Sequence, residues 1–504
     1  MILTKPMKQR STEMRHSRKK FRAPLLAAAL VAVLSGCTVG PDYVRRLFET
    51  PTNWRVDYPQ AAQLTNLRWW EQFQDPVLNQ LVETALRNNQ DIRIAAERVE
   101  QYLGQLQTTR SQFFPQLSYG LEVSRNQAST VSYPPSSLNP WYKLYQGSAS
   151  ADWQIDLFGR VRRQSEAAQA QVFASEQGRR GTLLTVVSSV AAGYITLRSL
   201  DRQLEIARAT AGNYAGTLRI FQLRFQAGVV SQVEVSQIES QYQQALIAIP
   251  QFEQQVAVQE NMLSVLLGQN PGAIPRGRAL EDIALPVVPP GLPSSLIERR
   301  PDVLQAEQNL ITANANIGVA RSLYFPTISI TGLLGSVSAA SSDFMTGPAQ
   351  VAAIAAGISG PIFTFGNIEG QVRSAEAGER AAMASYQLAI LNALRDTNDA
   401  LVGVQKTAEA LVANQARVKA LREYARLSRL RFENGTASYL DVLYADNELF
   451  SAELAAVSAN SDRAVQLISV YKALGGGWVD AVDPQTTGKA TEDMPAGEQP
   501  EKQG

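Results

Sequence analysis

One segment of this chain returns 207 residues later, and this repeat constrains the possible fold more than any other feature. Residues 223–235 recur in similar form at 430–442. The same offset relates Phe158-Gly159 to Phe365-Gly366, and an offset of 211 residues relates 113–118 to 324–329. Solenoid repeats have periods of about 20 to 50 residues, so a period this long indicates a duplicated domain. We therefore predict one structural unit built twice, with parallel roles for the two halves.

Residues 1–36 are predicted to form a lipoprotein signal peptide. Eight basic residues precede the apolar run 23–34, which is shorter than the about 20 residues that a spanning helix needs. The run ends in Leu34-Ser35-Gly36-Cys37, which resembles a bacterial lipobox with lipidation and cleavage at Cys37. The alternative is a chance cysteine after a secretory leader. The start codon is Met1, Met7 or Met14.

Removal of the leader changes the charge and the chemistry of the chain. Without its eight basic residues and one acidic residue, the 47 basic and 46 acidic residues become 39 and 45. This acidic balance argues against nucleic acid as a partner. The only histidine, His16, leaves with the leader. We therefore predict no enzyme, no metal site and no cofactor apart from the covalent lipid on Cys37.

Two long stretches without proline, 161–249 and 362–483, are rich in helix-forming residues. In each, apolar residues follow a 4–3 spacing, which is typical of helices packed nearly parallel. The residues of this seam are Leu183, Val187, Val190, Tyr194, Leu197 and Leu204 in the first half and Ile390, Leu394, Thr397, Leu401, Val404, Ala408 and Leu411 in the second. A continuous helix from Gly159 to Ala227 would be about 100 Å long. The alternative is several shorter helices, because five glycines interrupt the first stretch.

The repeated segment predicts a tight helical hairpin in each half, with the turns at 227–231 and 434–438. A glycine fits the left-handed position after the first helix, and a serine followed by an acidic residue three positions later fits a capping box at the start of the second. These residues are Gly228, Ser231 and Glu234 in the first half and Gly435, Ser438 and Asp441 in the second.

Segments of alternating polarity predict β-hairpins at 116–157 and 327–365. The clearest segment places Leu117, Tyr119, Leu121 and Val123 on one face. One apolar and one polar face suits either a soluble sheet or a transmembrane barrel. Four strands cannot close a barrel, and open sheet edges are not tolerated in lipid. Strands in a membrane would therefore have to come from several chains.

The remaining boundaries follow from composition. The segment 289–293 is predicted to be a linker, which gives a first structural repeat at 37–290 and a second at 291–478. The polar tail 479–504 lacks apolar periodicity and is predicted to be disordered. The predicted fold class is α+β and mostly α: a duplicated unit of long antiparallel helices and two β-hairpins.

Several motifs together resemble the outer-membrane efflux lipoproteins of tripartite pumps, the OprM/NodT branch of the TolC-like family. They cover essentially 37–478. The motifs are Cys37-Thr38-Val39-Gly40-Pro41-Asp42-Tyr43, Trp69-Trp70 with Phe73 and Asp75-Pro76, Ala85-Leu86-Arg87-Asn88-Asn89, Arg299-Arg300-Pro301-Asp302-Val303 and the two hairpin turns.

The resemblance implies a homotrimer in the outer membrane, anchored by lipid on Cys37. Each chain would contribute four strands to a twelve-stranded barrel, and the helices would form a second barrel across the periplasm. The hairpin turns, with Gly228, Ser231, Glu234, Gly435 and Ser438, would contact a periplasmic adaptor. That adaptor would be bound to an inner-membrane transporter, expected to be proton-driven and of the RND type. Drugs or other toxic compounds would pass without chemical change.

The resemblance also implies a periplasmic gate built from the second hairpin. Leu440 corresponds by position to the apolar constriction of the family. The usual Asp-Ala-Gln-Arg run is here Tyr444-Ala445-Asp446-Asn447, so that a tyrosine replaces the expected aspartate. Asp441 or Asp446 would then supply the carboxylates of the gate, with Asn447 beside them.

Two other functions are compatible with the sequence. The first is the outer conduit of a type I protein secretion system, which shares the fold but does not usually have the lipobox. The second is a structural periplasmic lipoprotein that forms a coiled-coil brace, which would need no alternating strands. The exported compound and the identity of the inner-membrane partner do not follow from the sequence.

Overall fold

The computed structural model describes residues 38–45, 68–129, 141–286 and 299–475. The predicted signal peptide, Cys37, the linker 289–293 and the tail 479–504 lie outside these residues. The described helices are α1 (Pro76–Asn88), α2 (Gln90–Ser111), α3 (Arg160–Gln226), α4 (Gln232–Leu266), α5 (Pro301–Ser322), α6 (Asn367–Glu433) and α7 (Tyr439–Ala473). The strands are β1 (Gln116–Gln127), β2 (Trp141–Ile155), β3 (Thr327–Ser338) and β4 (Gln350–Ser359).

The element order confirms that the sequence repeat is structural. Each half contains a helix, two strands, a long helix and a shorter helix in the same order. Equivalent helices have equal lengths: α2 and α5 have 22 residues, α3 and α6 have 67, and α4 and α7 have 35. The two halves are therefore copies at the level of whole elements.

The long helices α3 and α6 are continuous, so the alternative of several shorter helices is wrong. Glycines inside a helix lower its stability by about 1 kcal/mol each, and burial of the apolar seam compensates for this loss. In α3 the seam residues Val187, Val190 and Leu197 are fully buried. An 18-residue window of α3 is apolar enough to cross a membrane, but 67% of it is buried by packing, which accounts for its composition.

The four strands form one antiparallel sheet in the order β1-β2-β3-β4. β1 and β3 begin where the alternation predicts, at Gln116 and Thr327. The prediction for the fourth strand was wrong at its end, because β4 stops at Ser359 and not at 365. Pro361 follows two residues later and has no N–H group to donate to a neighbouring strand, which explains the early end.

One face of this sheet is apolar and uncovered within the described chain. Leu117, Tyr119, Leu121 and Val123 of β1 are between 71% and 87% exposed. On β1 and β2 the opposite face is polar, and the Ser118 and Ser150 hydroxyls hydrogen-bond there at 2.7 Å. On these two strands the alternation seen in the sequence therefore separates two chemically different faces.

Contacts divide the chain into two compact units. The first, 1–45, 101–172 and 308–383, contains the sheet. The second, 46–100, 173–307 and 384–504, contains the main apolar core. Trp69 and Trp70 are 1% exposed in that core, and the Trp69 ring stacks on Tyr471 with centroids 5.3 Å apart. The two tryptophans are therefore part of the apolar core.

Candidate functional site at the ends of the helical hairpins

The first hairpin turn has the predicted geometry. α3 ends before Gly228, whose φ of 72° lies in the left-handed region that favours glycine. The Val229 N–H donates to the Arg224 carbonyl, which is the bond pattern of a Schellman motif. Ser231 then begins α4: its Oγ accepts from the Glu234 N–H, and the Glu234 carboxylate accepts from the Ser231 N–H at 2.8 Å. The predicted capping box is confirmed.

The second turn repeats this geometry with one difference. Gly435 has φ 73°, and the Thr436 N–H donates to the Arg431 carbonyl. Ser438 is again the N-cap, but its Oγ accepts from the Leu440 N–H at 3.2 Å. The prediction that Asp441 completes a capping box was wrong for the described structure. The Asp441 N–H instead donates to the Ser438 carbonyl. The Ser438 hydroxyl accepts from Leu440, the residue before Asp441.

An aromatic cluster joins the two hairpins close to their turns. The Tyr439 ring lies 4.4 Å from Phe221 and 5.0 Å from Phe432, measured between centroids. Tyr439 and Phe221 are almost fully buried. No sequence pattern described above predicts this cluster. The available signal was the placement of Tyr439 directly after the cap, where the first half has Gln232.

The predicted gate residues fall into two groups on α7. Leu440 is 54% exposed, Tyr444 is 61% exposed and Asp441 is exposed. Leu440 and Tyr444 are four residues apart, so they share one face of the helix. Val442 and Ala445 are buried on the other side. The described chain therefore presents Leu440, Asp441 and Tyr444 outward, and Tyr444 does not pack between its helices.

Asp446 and Asn447 belong to the second group and are partly buried. The Asp446 carboxylate accepts from Arg429 of α6 at 3.0 Å. Burial raises the pKa of Asp446, and the attraction of Arg429 opposes this effect without overcoming it. Tyr214 packs in the apolar core with Phe221 and Tyr439, and its buried hydroxyl has no hydrogen-bond partner within the described residues. Asp446 therefore connects α6 to α7 within one chain, so Asp441 is the exposed carboxylate of the two.

The segment that follows Cys37 is held in place by a buried arginine of α3. Arg163 donates to the carbonyls of Val39 and Gly40 and to the Asp42 carboxylate at 2.6 Å. A side chain on Gly40 would collide with the backbone of Gly318. Residues 39–42 are thus fixed in the first unit. The role of Cys37 remains a prediction.

Among the described residues, no group of three or more His, Cys, Asp or Glu side chains could hold a metal ion. The carboxylates near the second turn are separated instead, because Asp446 pairs with Arg429 while Asp441 points outward. The hairpin ends thus offer a capped backbone, exposed apolar side chains and one exposed carboxylate. Such surfaces are suited to contacts with other protein chains.

Comparison with known proteins gives consistent matches along the chain. The family described as "Outer membrane efflux protein" matches residues 81–269 and 292–476. The antibiotic efflux pump outer membrane protein ArpC of Pseudomonas putida is 32% identical, over 94% of this chain and 99% of that protein. The probable outer membrane lipoprotein SilC of Salmonella typhimurium is 28% identical, over 91% and 100%. The open state of the MtrE outer membrane channel of Neisseria gonorrhoeae has a TM-score of 0.77 at 28% identity, over 88% and 99%.

Proposed function

We propose that this chain conducts its cargo passively through a channel shared by three copies. The premise is that the chain belongs to the outer membrane efflux protein family and is the outer-membrane component of an efflux pump. The wall of this channel would consist of the four helices α3, α4, α6 and α7 of each copy, together with the strands of the sheet. The names of the relatives favour efflux over protein secretion and over a periplasmic brace.

The observation that carries this proposal is the uncovered apolar face of a sheet with two open edges. Leu117, Tyr119 and Leu121 are each at least 79% exposed, although water disfavours such a row. Lipid accepts apolar side chains but not unpaired strand edges. Three copies joined edge to edge would give a closed barrel of twelve strands, with the apolar face toward lipid and the polar face toward water.

The gate is proposed to form where the second hairpins of the three copies approach one another. Leu440 and Tyr444 would narrow the opening, because they occupy one exposed helix face. Asp441 would contribute the carboxylate, since Asp446 is already paired with Arg429. Asn447 is partly buried beside Asp446 and would support the gate from behind.

The hairpin turns are proposed to dock with a periplasmic adaptor that is bound to an inner-membrane transporter of the RND type. Gly228 and Gly435 set the shape of the turns, and Ser231, Glu234 and Ser438 stabilise the helix starts behind them. A rigid turn suits docking because little conformational entropy is lost on binding. Lipidation of Cys37 would add an anchor in the membrane, close to the fixed segment 39–42.

The proposed cargo comprises drugs or other toxic compounds. One relative is named as an antibiotic efflux pump protein, and three others as toluene efflux pump proteins. A wide conduit has few contacts with its cargo, so the choice of compound is expected to lie with the inner-membrane partner.

Conductance of the purified, lipidated protein in planar bilayers tests the proposed channel and its gate. Leu440→Ala or Tyr444→Ala is expected to enlarge the current, because each removes side-chain volume from the proposed constriction. Val233→Ala is the matched control, since Val233 is the equivalent of Leu440 in the first hairpin and is 64% exposed. Equal currents for all variants would contradict the gate, and absence of any conductance would contradict the channel.

A further inference from the structure

The joint between the two halves of the chain lies inside the sheet, between β2 and β3. Ser148 of β2 faces Gly335 of β3, and the register continues to Ile155 opposite Ile328. Just beyond the strand ends, the Phe158 ring stacks on the Phe325 ring with centroids 4.7 Å apart. This joint therefore consists of a strand pairing of defined register and one aromatic contact.

The two sequence offsets match the contacts of one half with the equivalent contacts of the other half, residue by residue. The β1–β2 pair of Gln116 with Asp152 becomes the β3–β4 pair of Thr327 with Ser359 under the offsets of 211 and 207 residues. The hydrogen bond from Arg110 to Gln169 becomes the hydrogen bond from Arg321 to Glu376 in the same way. The offsets can therefore be used to transfer contacts from one half to the other.

Transfer of the β2–β3 joint leads to the two open edges of the sheet. β2 corresponds to β4 and β3 corresponds to β1, but β4 and β1 lie at opposite edges of the same sheet. Phe158 corresponds to Phe365 and Phe325 corresponds to Phe114. Phe365 is 101% exposed and Phe114 is 67% exposed, whereas their equivalents are stacked on each other.

The backbone conformation of Phe365 also indicates a contact with a neighbouring molecule. Its φ of 48° lies in the left-handed region, which is unfavourable for a bulky side chain. Such a conformation persists where surrounding contacts compensate for it. Within the described chain the exposed ring makes no large contact, so a neighbouring molecule is the natural source of compensation.

We propose that β4 of one copy pairs with β1 of the next copy in the register of the β2–β3 joint, and that Phe365 stacks there on Phe114 of the next copy. Ala355 then lies opposite Ser124, as Ser148 lies opposite Gly335 within the chain. Ile358 lies opposite Leu121, which keeps both on the apolar face. A slip by one residue would move every side chain of one strand to the wrong face.

This inference rests on the proposed function, because it requires several copies to join their sheets. It goes further by naming the residues that meet at the joint. The sheet occupies one unit of the chain, and all four phenylalanines lie in that unit. β1 and β4 of one chain are separated by two strands, about 14 Å, so a direct cross-link between them within one chain is excluded.

Cysteine cross-linking in the full-length membrane protein tests the register. Ala355→Cys with Ser124→Cys is expected to give covalent dimers and trimers on a denaturing gel after oxidation with copper phenanthroline. Ala353→Cys with Ser124→Cys is the matched control, displaced by two residues on the same face. Disulfides need Cβ atoms about 3.5 to 4.5 Å apart, so this control is expected to react on the order of ten-fold less.

Two further controls make every outcome informative. Ser118→Cys with Ser150→Cys joins facing residues of one chain, so it should form a disulfide without any increase in mass. The single variants measure any reaction through Cys37. Stronger cross-linking of the displaced pair would overturn the register and leave the oligomeric channel intact. Monomers in every variant, without conductance, would overturn the proposed function together with this inference.

The aromatic contact is tested by a double-mutant cycle on the temperature at which the oligomer dissociates. Phe365→Ala and Phe114→Ala are each expected to lower that temperature, and the double variant should lower it no further than the stronger single variant. Phe158→Ala breaks the equivalent contact inside the chain, so its effect should add to that of Phe365→Ala. Additive effects of Phe365→Ala and Phe114→Ala would refute the contact.

Discussion

Replacement of Asp75 by alanine is expected to remove four hydrogen bonds from one buried carboxylate. Asp75 has no exposed surface. Its Oδ1 accepts from the N–H groups of Val77 and Leu78 at the start of α1, at 2.8 and 3.3 Å. Its Oδ2 accepts from the Tyr194 hydroxyl of α3 at 2.9 Å and from the Arg278 N–H at 3.0 Å. One side chain thus joins three segments of the second unit.

The loss can be estimated from these contacts. Removal of a helix N-cap costs about 1 kcal/mol. The Tyr194 hydroxyl and the Arg278 N–H would each lose a buried acceptor, at about 1 to 3 kcal/mol for each group. Asp75→Ala is therefore expected to lower the free energy of unfolding by about 3 to 7 kcal/mol. Tyr194→Phe should cost about 1 to 3 kcal/mol, because the Gly277 N–H also loses its acceptor.

Thermal unfolding followed by circular dichroism in detergent measures this effect. Asp75→Ala is expected to lower the melting temperature by on the order of 10 °C. The double variant with Tyr194→Phe should lose less than the sum of the two single losses, because the two residues share a hydrogen bond. Glu71→Ala is the control, since Glu71 is exposed in the same region. A melting temperature of Asp75→Ala equal to that of this control would refute the reasoning.

Two further predictions concern the hairpin turns. Glu234→Ala is expected to destabilise the first hairpin by about 0.5 to 1 kcal/mol, whereas Asp441→Ala should change the stability of the second by less than about 0.5 kcal/mol. The reason is that only Glu234 completes a capping box. Hydrogen exchange at the starts of the two helices measures both effects. Folding raises the pKa of Asp446, so the folded state binds this proton more tightly than the unfolded state. Wild type should therefore gain stability relative to Asp446→Asn as the pH falls toward about 4, the ordinary range of a carboxyl group. The same pH dependence in both proteins would contradict the second prediction.

Features of this protein that depend on short-range interactions could be predicted from its amino-acid sequence alone. The duplication and the starts of β1 and β3 follow from periodicity and composition, and the long stretch without proline favoured a continuous α3. Gly228 and Gly435 could be identified because only certain residues adopt a left-handed φ without strain. Ser231 and Glu234 could be paired because both partners of a capping box lie within four residues. Family motifs then allowed the channel function to be predicted before any geometry was known.

Contacts between residues that are far apart in the sequence could be identified only from the three-dimensional fold. Asp446 resembled a gate carboxylate in sequence, but the fold brings Arg429 of the preceding helix to it. The position of Tyr439 after the cap distinguishes the second half from the first, but it does not identify Phe221, more than 200 residues earlier, as the partner. Phe158 and Phe365 are equivalent in sequence, yet one is stacked and the other is exposed. Hydrogen bonding and packing over such separations depend on the path of the whole chain, which local sequence patterns do not contain.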